Sequence, residues 1–143
     1  MIARSHRKLI IWQRAVALAS HVYAMTTGPE SAQHPLFDQM RHSALAVATR
    51  IGDGAGRGTR LEYLRFLEAA RGAVAELEAQ VFVALELHIV PAHAGLPQEI
   101  GELRALLTAQ MLRLREFRER AASFELPASI SMANFNSGPP SSR

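Results

Sequence analysis

Apolar residues recur every three or four positions in four separate stretches of this sequence, and no stretch alternates apolar and polar residues as a half-buried strand does. The four predicted helices span residues 7–27, 35–53, 59–89 and 98–124. A helix with one apolar face must bury that face against another element, so four such helices joined by short loops favour a bundle. We therefore predict an all-α fold, an antiparallel up-down-up-down four-helix bundle.

Residues with known capping preferences mark the ends of these helices. Gly28 and Pro29 end the first helix, and Pro35 fits the first turn of the second, where its missing N–H is not needed. Thr59, followed three residues later by Glu62, predicts a capping box at the start of the third helix. The face of the first helix predicted to enter the core contains Leu9, Trp12, Val16, Ala19, Val22 and Met25, with Trp12 as its anchor.

The chain is expected to form one domain followed by a tail. Its 143 residues are 48% hydrophobic and 20% charged, a composition that supports a packed core. The apolar period ends before residue 127, and prolines follow at positions 127, 139 and 140. We predict that the bundle spans residues 1–126 and that residues 127–143 are a disordered C-terminal tail.

Four glycines alternate through the run "IGDGAGRGTR" between the second and third predicted helices, at residues 51–60. The spacing fits neither a P-loop nor a dinucleotide-binding loop, and no strand precedes it. The favoured interpretation is a joint, in which glycines in left-handed conformations end one helix and Thr59 caps the next. The alternative is a loop that offers its backbone N–H groups, Arg57 and Arg60 to an anion.

The net charge of +3 is unevenly distributed along the chain. Residues 1–14 carry four basic residues and no acidic one, whereas residues 66–90 carry four glutamates against a single arginine. Such a division is typical either of nucleic-acid binding or of contacts between subunits. Basic residues between positions 41 and 65 also flank the glycine run. Nucleic-acid binding and contacts between subunits both remain open as explanations of this charge distribution.

Cysteine is absent, which excludes disulfides and zinc–thiolate sites and fits a reducing compartment. The apolar run at residues 9–12 is too short for a secretory signal, and no stretch has the length of a membrane span. We therefore expect a cytoplasmic protein with no membrane partner. No H-E-x-x-H, E-x-x-H or G-x-S-x-G motif occurs, so we expect no metal, no cofactor and no enzymatic activity.

The arginines of the predicted helices have structural interpretations as well. Arg41 and Arg50 flank the apolar stripe of the second helix, where interhelical ion pairs are common, and the acidic third helix offers partners. A nucleic-acid contact is the alternative. In the fourth helix, Arg113, Arg115, Arg118 and Arg120 alternate with Glu116 and Glu119 and are predicted to form a solvated face.

Two runs of the sequence carry a recognisable order of motifs. The first run, "KLIIWQRAVALASHVYAMT" at residues 8–26, contains the motif Trp-Gln-Arg-Ala. The second run, residues 39–87, contains Gln-x-Arg and then a loop of glycine and arginine. The motifs Glu-Tyr-x-Arg-Phe-Leu and Glu-Leu-Glu-x-Gln follow in the same run. The matching residues are Trp12, Gln13, Arg14, Ala15, Leu18, Ala19, Tyr23, Thr26, Gln39, Arg41, Ile51, Gly54, Gly56, Arg57, Glu62, Tyr63, Arg65, Phe66, Leu67, Glu76, Leu77, Glu78 and Gln80. In these motifs the chain resembles the four-helix-bundle proteins of 23S rRNA intervening sequences.

The resemblance extends over about residues 8–122. The chain departs from the family pattern at residues 48–50, where Ala-Thr-Arg replaces Pro-Ala-Asn, and at residues 52–53, where Gly-Asp replaces Ala-Glu. The resemblance implies a helical bundle that assembles as a ring, commonly a pentamer. Related accessory proteins of diversity-generating retroelements form similar rings that bind nucleic acid and a reverse transcriptase. The resemblance also implies structural ion pairs for Arg41, Arg65, Glu76 and Glu78.

The sequence thus predicts a non-enzymatic, self-assembling bundle that binds RNA, DNA or a ribonucleoprotein partner through a basic surface. The residues assigned to that surface are Arg4, Arg7, Lys8, Arg57 and Arg60. The alternative is a protein-binding scaffold in which the uneven charge serves contacts between subunits.

Overall fold

The computed structural model describes residues 9–28 and 34–135, with side chains as far as residue 123. Its elements are α1 (Ile10–Thr26), α2 (Pro35–Gly56), α3 (Arg60–Glu86), a 3-10 turn (Ala92–Ala94) and α4 (Leu96–Phe135). The main contacts join α1 to α2, α2 to α3, α3 to α4 and α4 to α1, so the four helices enclose one core. The prediction of an all-α four-helix bundle is confirmed, and the described residues contain no strand.

The core is built from the apolar faces that the helical periods predict for α2, α3 and most of α4. Its largest fully buried side chains include Phe37, Met40, Ile51, Leu67, Leu77, Ile100, Leu103, Leu107 and Met111. Beyond Met111 the apolar residues of α4 are no longer fully buried, since Leu114 packs only partly against the core and Phe117 is 50% exposed.

The predicted core face of α1 is partly wrong. Ile11, Ala15 and Leu18 are buried, whereas Trp12 and Val16 are only partly buried at the edge of the core. Apolar residues lie on more than one side of this helix, so two stripes fit the same period. The structure buries the stripe that contains the small residue Ala15, and the bulkier Trp12 is left at the rim.

The predicted starts of the second and third helices agree with the structure. Pro35 lies in the first turn of α2, where His34 Nδ1 accepts a hydrogen bond of 3.2 Å from the backbone N–H of Leu36. The Thr59 hydroxyl oxygen accepts a 3.2 Å bond from the backbone N–H of Glu62 and caps α3. Each bond provides a partner for a backbone N–H group in the first helical turn, which has no acceptor within the helix itself.

The glycine run is a joint, but not of the predicted kind. α2 continues through Gly56, and the only described glycine with a positive φ is Gly95, ahead of α4, so left-handed conformations in the run were a wrong expectation. Gly54 serves close packing instead. A Cβ on this buried residue would lie 2.5 Å from Phe66 Cβ and 3.2 Å from Tyr63 Cδ2. The missing side chain therefore lets α2 and α3 approach each other.

The predicted boundary between bundle and tail falls inside α4, because the helical backbone continues to Phe135. Residues 136–143 lie outside the described part of the chain, so the disordered tail stays a prediction. No helix in the described ranges is both long and apolar enough to cross a membrane.

Candidate nucleic-acid interface

Arg41 ties the end of α1 to α2. Its guanidinium donates to the backbone carbonyl of Thr26 at 2.7 Å and to the Thr26 hydroxyl at 3.2 Å, and it pairs with Asp38. Its carboxylate partner thus lies on α2 itself, not on the acidic third helix as we expected. The side chain of Arg41 is 16% exposed, so this contact is partly protected from solvent.

The acidic residues of α3 pair with α4. Glu78 forms an ion pair with Arg104, and Glu68 forms one with Arg115 at 3.0 Å. Glu76 and Arg65 are exposed and make no ion pair with any side chain in the described part of the chain. The sequence gives the residue types that pair across a bundle but not the rotation of each helix, which directs the carboxylates of α3 towards α4.

The two arginines at the junction of α2 and α3 both contact aromatic rings. Arg57 makes an exposed ion pair with Asp53 at 3.3 Å, and its guanidinium carbon lies 4.9 Å from the centre of the Phe66 ring. The guanidinium carbon of Arg60 lies 3.2 Å from the centre of the Phe117 ring on α4. The other predicted binding residues, Arg4, Arg7 and Lys8, lie outside the described residues.

A cavity of about 230 Å³ opens beside the contact between Arg60 and Phe117. It is lined by Arg60, Leu61, Leu64, Leu114, Phe117, Arg118 and Ala121. Leu61 is 40% exposed, so apolar surface and two guanidinium groups meet here in contact with solvent.

Arginines without a carboxylate partner are concentrated in one part of the bundle. Among the side chains that the structure describes, the arginines in no ion pair are Arg50, Arg60, Arg65, Arg71, Arg113, Arg118 and Arg120. Six of them lie within residues 60–71 of α3 and 113–120 of α4, two segments that the Arg115–Glu68 pair and the Arg60–Phe117 contact hold together, whereas Arg50 lies on α2. Residues 113–120 carry four arginines against Glu116 and Glu119, and an excess of positive charge of this kind attracts phosphate groups.

The α4 arginines were missed as candidate binding residues because they were read as a solvated face. A signal was present in the sequence, since Phe117 lies between Arg115 and Arg118. Arginine interleaved with an exposed aromatic residue is a pattern typical of nucleic-acid contact.

Tyr63 lies beside this basic region and adds no negative charge to it. Its hydroxyl is buried and finds no hydrogen-bond partner among the described residues. Burial raises the pKa of Tyr63, and the positive charge of Arg113 opposes that shift only in part. The phenol is therefore neutral at physiological pH.

A second surface follows the outer side of α2. A groove of about 500 Å³ between α1 and α2 is lined by Trp12, Val16, Leu45, Ala48, Thr49, Gly52 and Asp53. A neighbouring hollow of about 420 Å³ is lined by His42, Leu45, Ala46, Thr49, Arg50, Asp53 and Phe66. The two share Leu45, which is 47% exposed, so α2 presents a continuous, largely apolar surface.

Residues 7–109 match the family described as 23S rRNA-intervening sequence protein. The chain belongs to this family. The match includes the α2–α3 loop with Arg57 and Arg60 but ends before Phe117 and Arg118. The candidate interface of this 23S rRNA-intervening sequence protein thus combines a loop inside the family match with a segment of α4 beyond it.

The fold of this family member is also found in a solved structure. A protein of unknown function from the S23 ribosomal protein family of Bacteroides thetaiotaomicron is 12% identical, with a TM-score of 0.66. The alignment covers 71% of this chain and 98% of that one. At this identity the likeness shows the fold alone. No curated protein matches the chain.

Neither the family nor its structural relative points to catalysis. In the described part of this family member, no three His, Asp or Glu side chains form a group that could hold a metal ion. Its chemically distinctive feature is the arginine-rich surface beside two aromatic rings, which suits electrostatic and stacking contacts.

Proposed function

We propose that this protein is a non-enzymatic bundle that associates with itself and binds nucleic acid or a ribonucleoprotein through the basic surface at one end. The observation that carries the proposal is that unpaired arginines lie on two segments in contact, residues 60–71 of α3 and 113–120 of α4. Phosphate contacts of this kind release condensed counterions, and this release supplies most of non-specific nucleic-acid affinity.

The directions in which the helices run support placing all of this positive charge at the same end of the bundle. Arg14 and His21 of α1 contact Glu102 and Glu99 of α4, so one helix ascends while the other descends. These contacts support the antiparallel order that the proposal assumes. Trp12, near the start of α1, borders the groove with Asp53 near the end of α2. The proposal assigns Arg4, Arg7 and Lys8 to the same basic surface, as the sequence predicted.

Arg57 contributes to binding less directly than Arg60. Its ion pair with Asp53 is exposed, with both side chains about half accessible, and exposed pairs of this type contribute at most about 1 kcal/mol. A phosphate can therefore compete with Asp53 for Arg57. Arg60 has no carboxylate to give up, which makes it the stronger candidate.

Self-association belongs to the same proposal. The apolar surface along α2, centred on the exposed Leu45, supports a contact with a second copy of the chain. The ring expected from the family resemblance, commonly a pentamer, would repeat that contact. Light scattering should give a mass several times 15.7 kDa, and Leu45→Glu should reduce it. A wild-type mass of one chain would contradict self-association.

The binding proposal is tested by removing charge from α4. The variant carrying both Arg113→Gln and Arg118→Gln should bind labelled RNA more weakly than wild type, with the salt slope reduced by about two units. Arg104→Gln is the charge control, because Arg104 lies on the same helix but is paired with Glu78. Equal losses in both variants would refute a localised interface.

The scaffold alternative is favoured by one observation, the apolar surface of α2, which needs no nucleic acid to explain it. If the protein forms rings but binds neither RNA nor DNA, that surface is its main functional feature. A reverse transcriptase or another protein would then be sought as the partner. The cytoplasmic location stays a prediction.

A further inference from the structure

We propose that Arg60, held against the Phe117 ring, is a platform on which one unpaired base of a single-stranded nucleic acid stacks, while Arg118 binds a neighbouring phosphate. This inference rests on the proposed function and deepens it by naming the form of nucleic acid. It assigns a binding site to the cavity between the start of α3 and the middle of α4.

The short distance between Arg60 and Phe117 fixes how the guanidinium is presented. Its central carbon lies 3.2 Å from the ring centre, and a tilted guanidinium at that separation would push a nitrogen into the ring. The two planar groups therefore lie face to face. Arg60 is an exposed residue, and in the proposal a ligand stacks on the face of its guanidinium that points away from Phe117.

An unpaired base has the shape and polarity that this site accepts. Unstacked bases bind on aromatic rings or on arginine planes and hydrogen-bond through their edges. The cavity supplies an apolar lining from Leu61, Leu64 and Leu114. In a duplex, both faces of an internal base are covered by neighbouring bases, so such a base has no free face to stack on Arg60.

The position of Arg60 in the sequence is electrostatically unfavourable without a bound anion. It is the first residue of α3, where the helix dipole already places positive charge. Glu62, the acidic residue of that first turn, accepts a 3.1 Å hydrogen bond from Thr59. The contact with Phe117 and a nearby phosphate would both offset this repulsion.

Arg118 provides the charge beside the platform. It lines the same cavity and makes no ion pair with a described side chain. Stacking on Arg60 and a phosphate on Arg118 are separable contributions, because the first depends on planarity and the second on charge. A purely structural contact between α3 and α4 would make neither contribution.

Arg60→Lys tests the platform because it keeps the positive charge and removes the planar guanidinium group. Affinities are measured by fluorescence anisotropy on a single-stranded oligonucleotide and on the duplex of the same sequence. We expect a loss of about 5-fold to about 100-fold for the single strand, as for removal of one stacked base. Duplex affinity and the salt slope should stay within about 2-fold and about half a unit of wild type.

Two further variants keep the test decisive. Arg104→Lys, at an arginine of α4 that pairs with Glu78 and lies outside the proposed interface, should leave both affinities unchanged. Phe117→Leu keeps the cavity apolar but removes the surface that orients Arg60, and it should reproduce the single-strand loss while melting as a folded helical protein. If Phe117→Leu unfolds, Arg60→Lys alone decides.

Each remaining outcome overturns a different claim. Equal losses on single strand and duplex would make Arg60 an ordinary phosphate contact, and no loss on either would make its stacking structural. A fall in oligomer mass for Phe117→Leu would assign the cavity to a neighbouring subunit. These results refute the platform but leave the proposed function intact. Absence of any binding near ~50 mM salt, where phosphate contacts are strongest, refutes both.

Discussion

Replacing Gly54 with alanine should destabilise the bundle although alanine is the better helix former. Gly54 is helical and buried, so alanine would gain up to about 1 kcal/mol in helix propensity. Its new Cβ, however, would lie 2.5 Å from Phe66 Cβ, where non-bonded carbons prefer about 3.5–4.0 Å. Phe66 Cβ is attached directly to the backbone of α3, so a change of rotamer cannot relieve the overlap.

The two helices must therefore move apart. Overpacking of this kind costs about 1–3 kcal/mol, and a clash between two Cβ atoms, which no change of rotamer relieves, belongs at the upper end of that range. After the gain in propensity, we expect a net loss of about 2 kcal/mol in the free energy of unfolding. For a chain of this size that corresponds to a melting temperature lower by roughly 4–8 °C.

Gly72 supplies the matched control, because it is also a helical glycine but a Cβ there would meet nothing within 4 Å. Gly72→Ala should stabilise the protein by about 0.5–1 kcal/mol. Both variants are compared by urea denaturation, followed by circular dichroism at one protein concentration, because self-association makes stability depend on concentration. If Gly54→Ala is as stable as Gly72→Ala, the close approach of α2 and α3 is incorrect.

Three further changes test the helix ends and the rim of the core. Thr59→Ala should cost about 1 kcal/mol by removing the cap of α3, and chemical denaturation that shows no loss would count against the observed cap. Trp12→Ala should cost roughly 1–2 kcal/mol, less than Leu67→Ala, which removes a fully buried side chain at a cost of about 2–5 kcal/mol. A larger loss of stability for Trp12→Ala than for Leu67→Ala would place Trp12 in the core. Deleting residues 127–143 should leave the melting curve of the bundle unchanged, and a broadened transition would show that the tail packs on it.

The sequence predicts those parts of this fold that depend on local pattern. Leu67, Val74 and Leu77 recur at one clear helical period, and Thr59 with Glu62 has a local capping geometry, so α3 and its start could be read directly. In α1 the period is ambiguous because apolar residues surround the helix, and the burial of Trp12 was therefore overestimated.

Contacts between helices could not be predicted in the same way. The partner of Gly54 is Phe66, and the partner of Arg60 is Phe117 on a helix that begins far along the chain. Both contacts depend on how each helix is rotated and how far it is shifted along its neighbour. A single sequence gives the residue types but not these rigid-body positions, so it could not show that Arg60 and Phe117 meet.

The salt dependence of nucleic-acid affinity tests the central claim most directly. Binding of wild-type protein to a labelled RNA is measured between about 50 and about 200 mM salt, and the logarithm of the association constant is plotted against the logarithm of the salt concentration. The arginine-rich surface predicts a straight line with a steep negative slope, about −0.7 to −0.9 per phosphate contact. Binding that is absent at the lowest salt, or that does not change with salt, would contradict the assignment of this surface to nucleic acid.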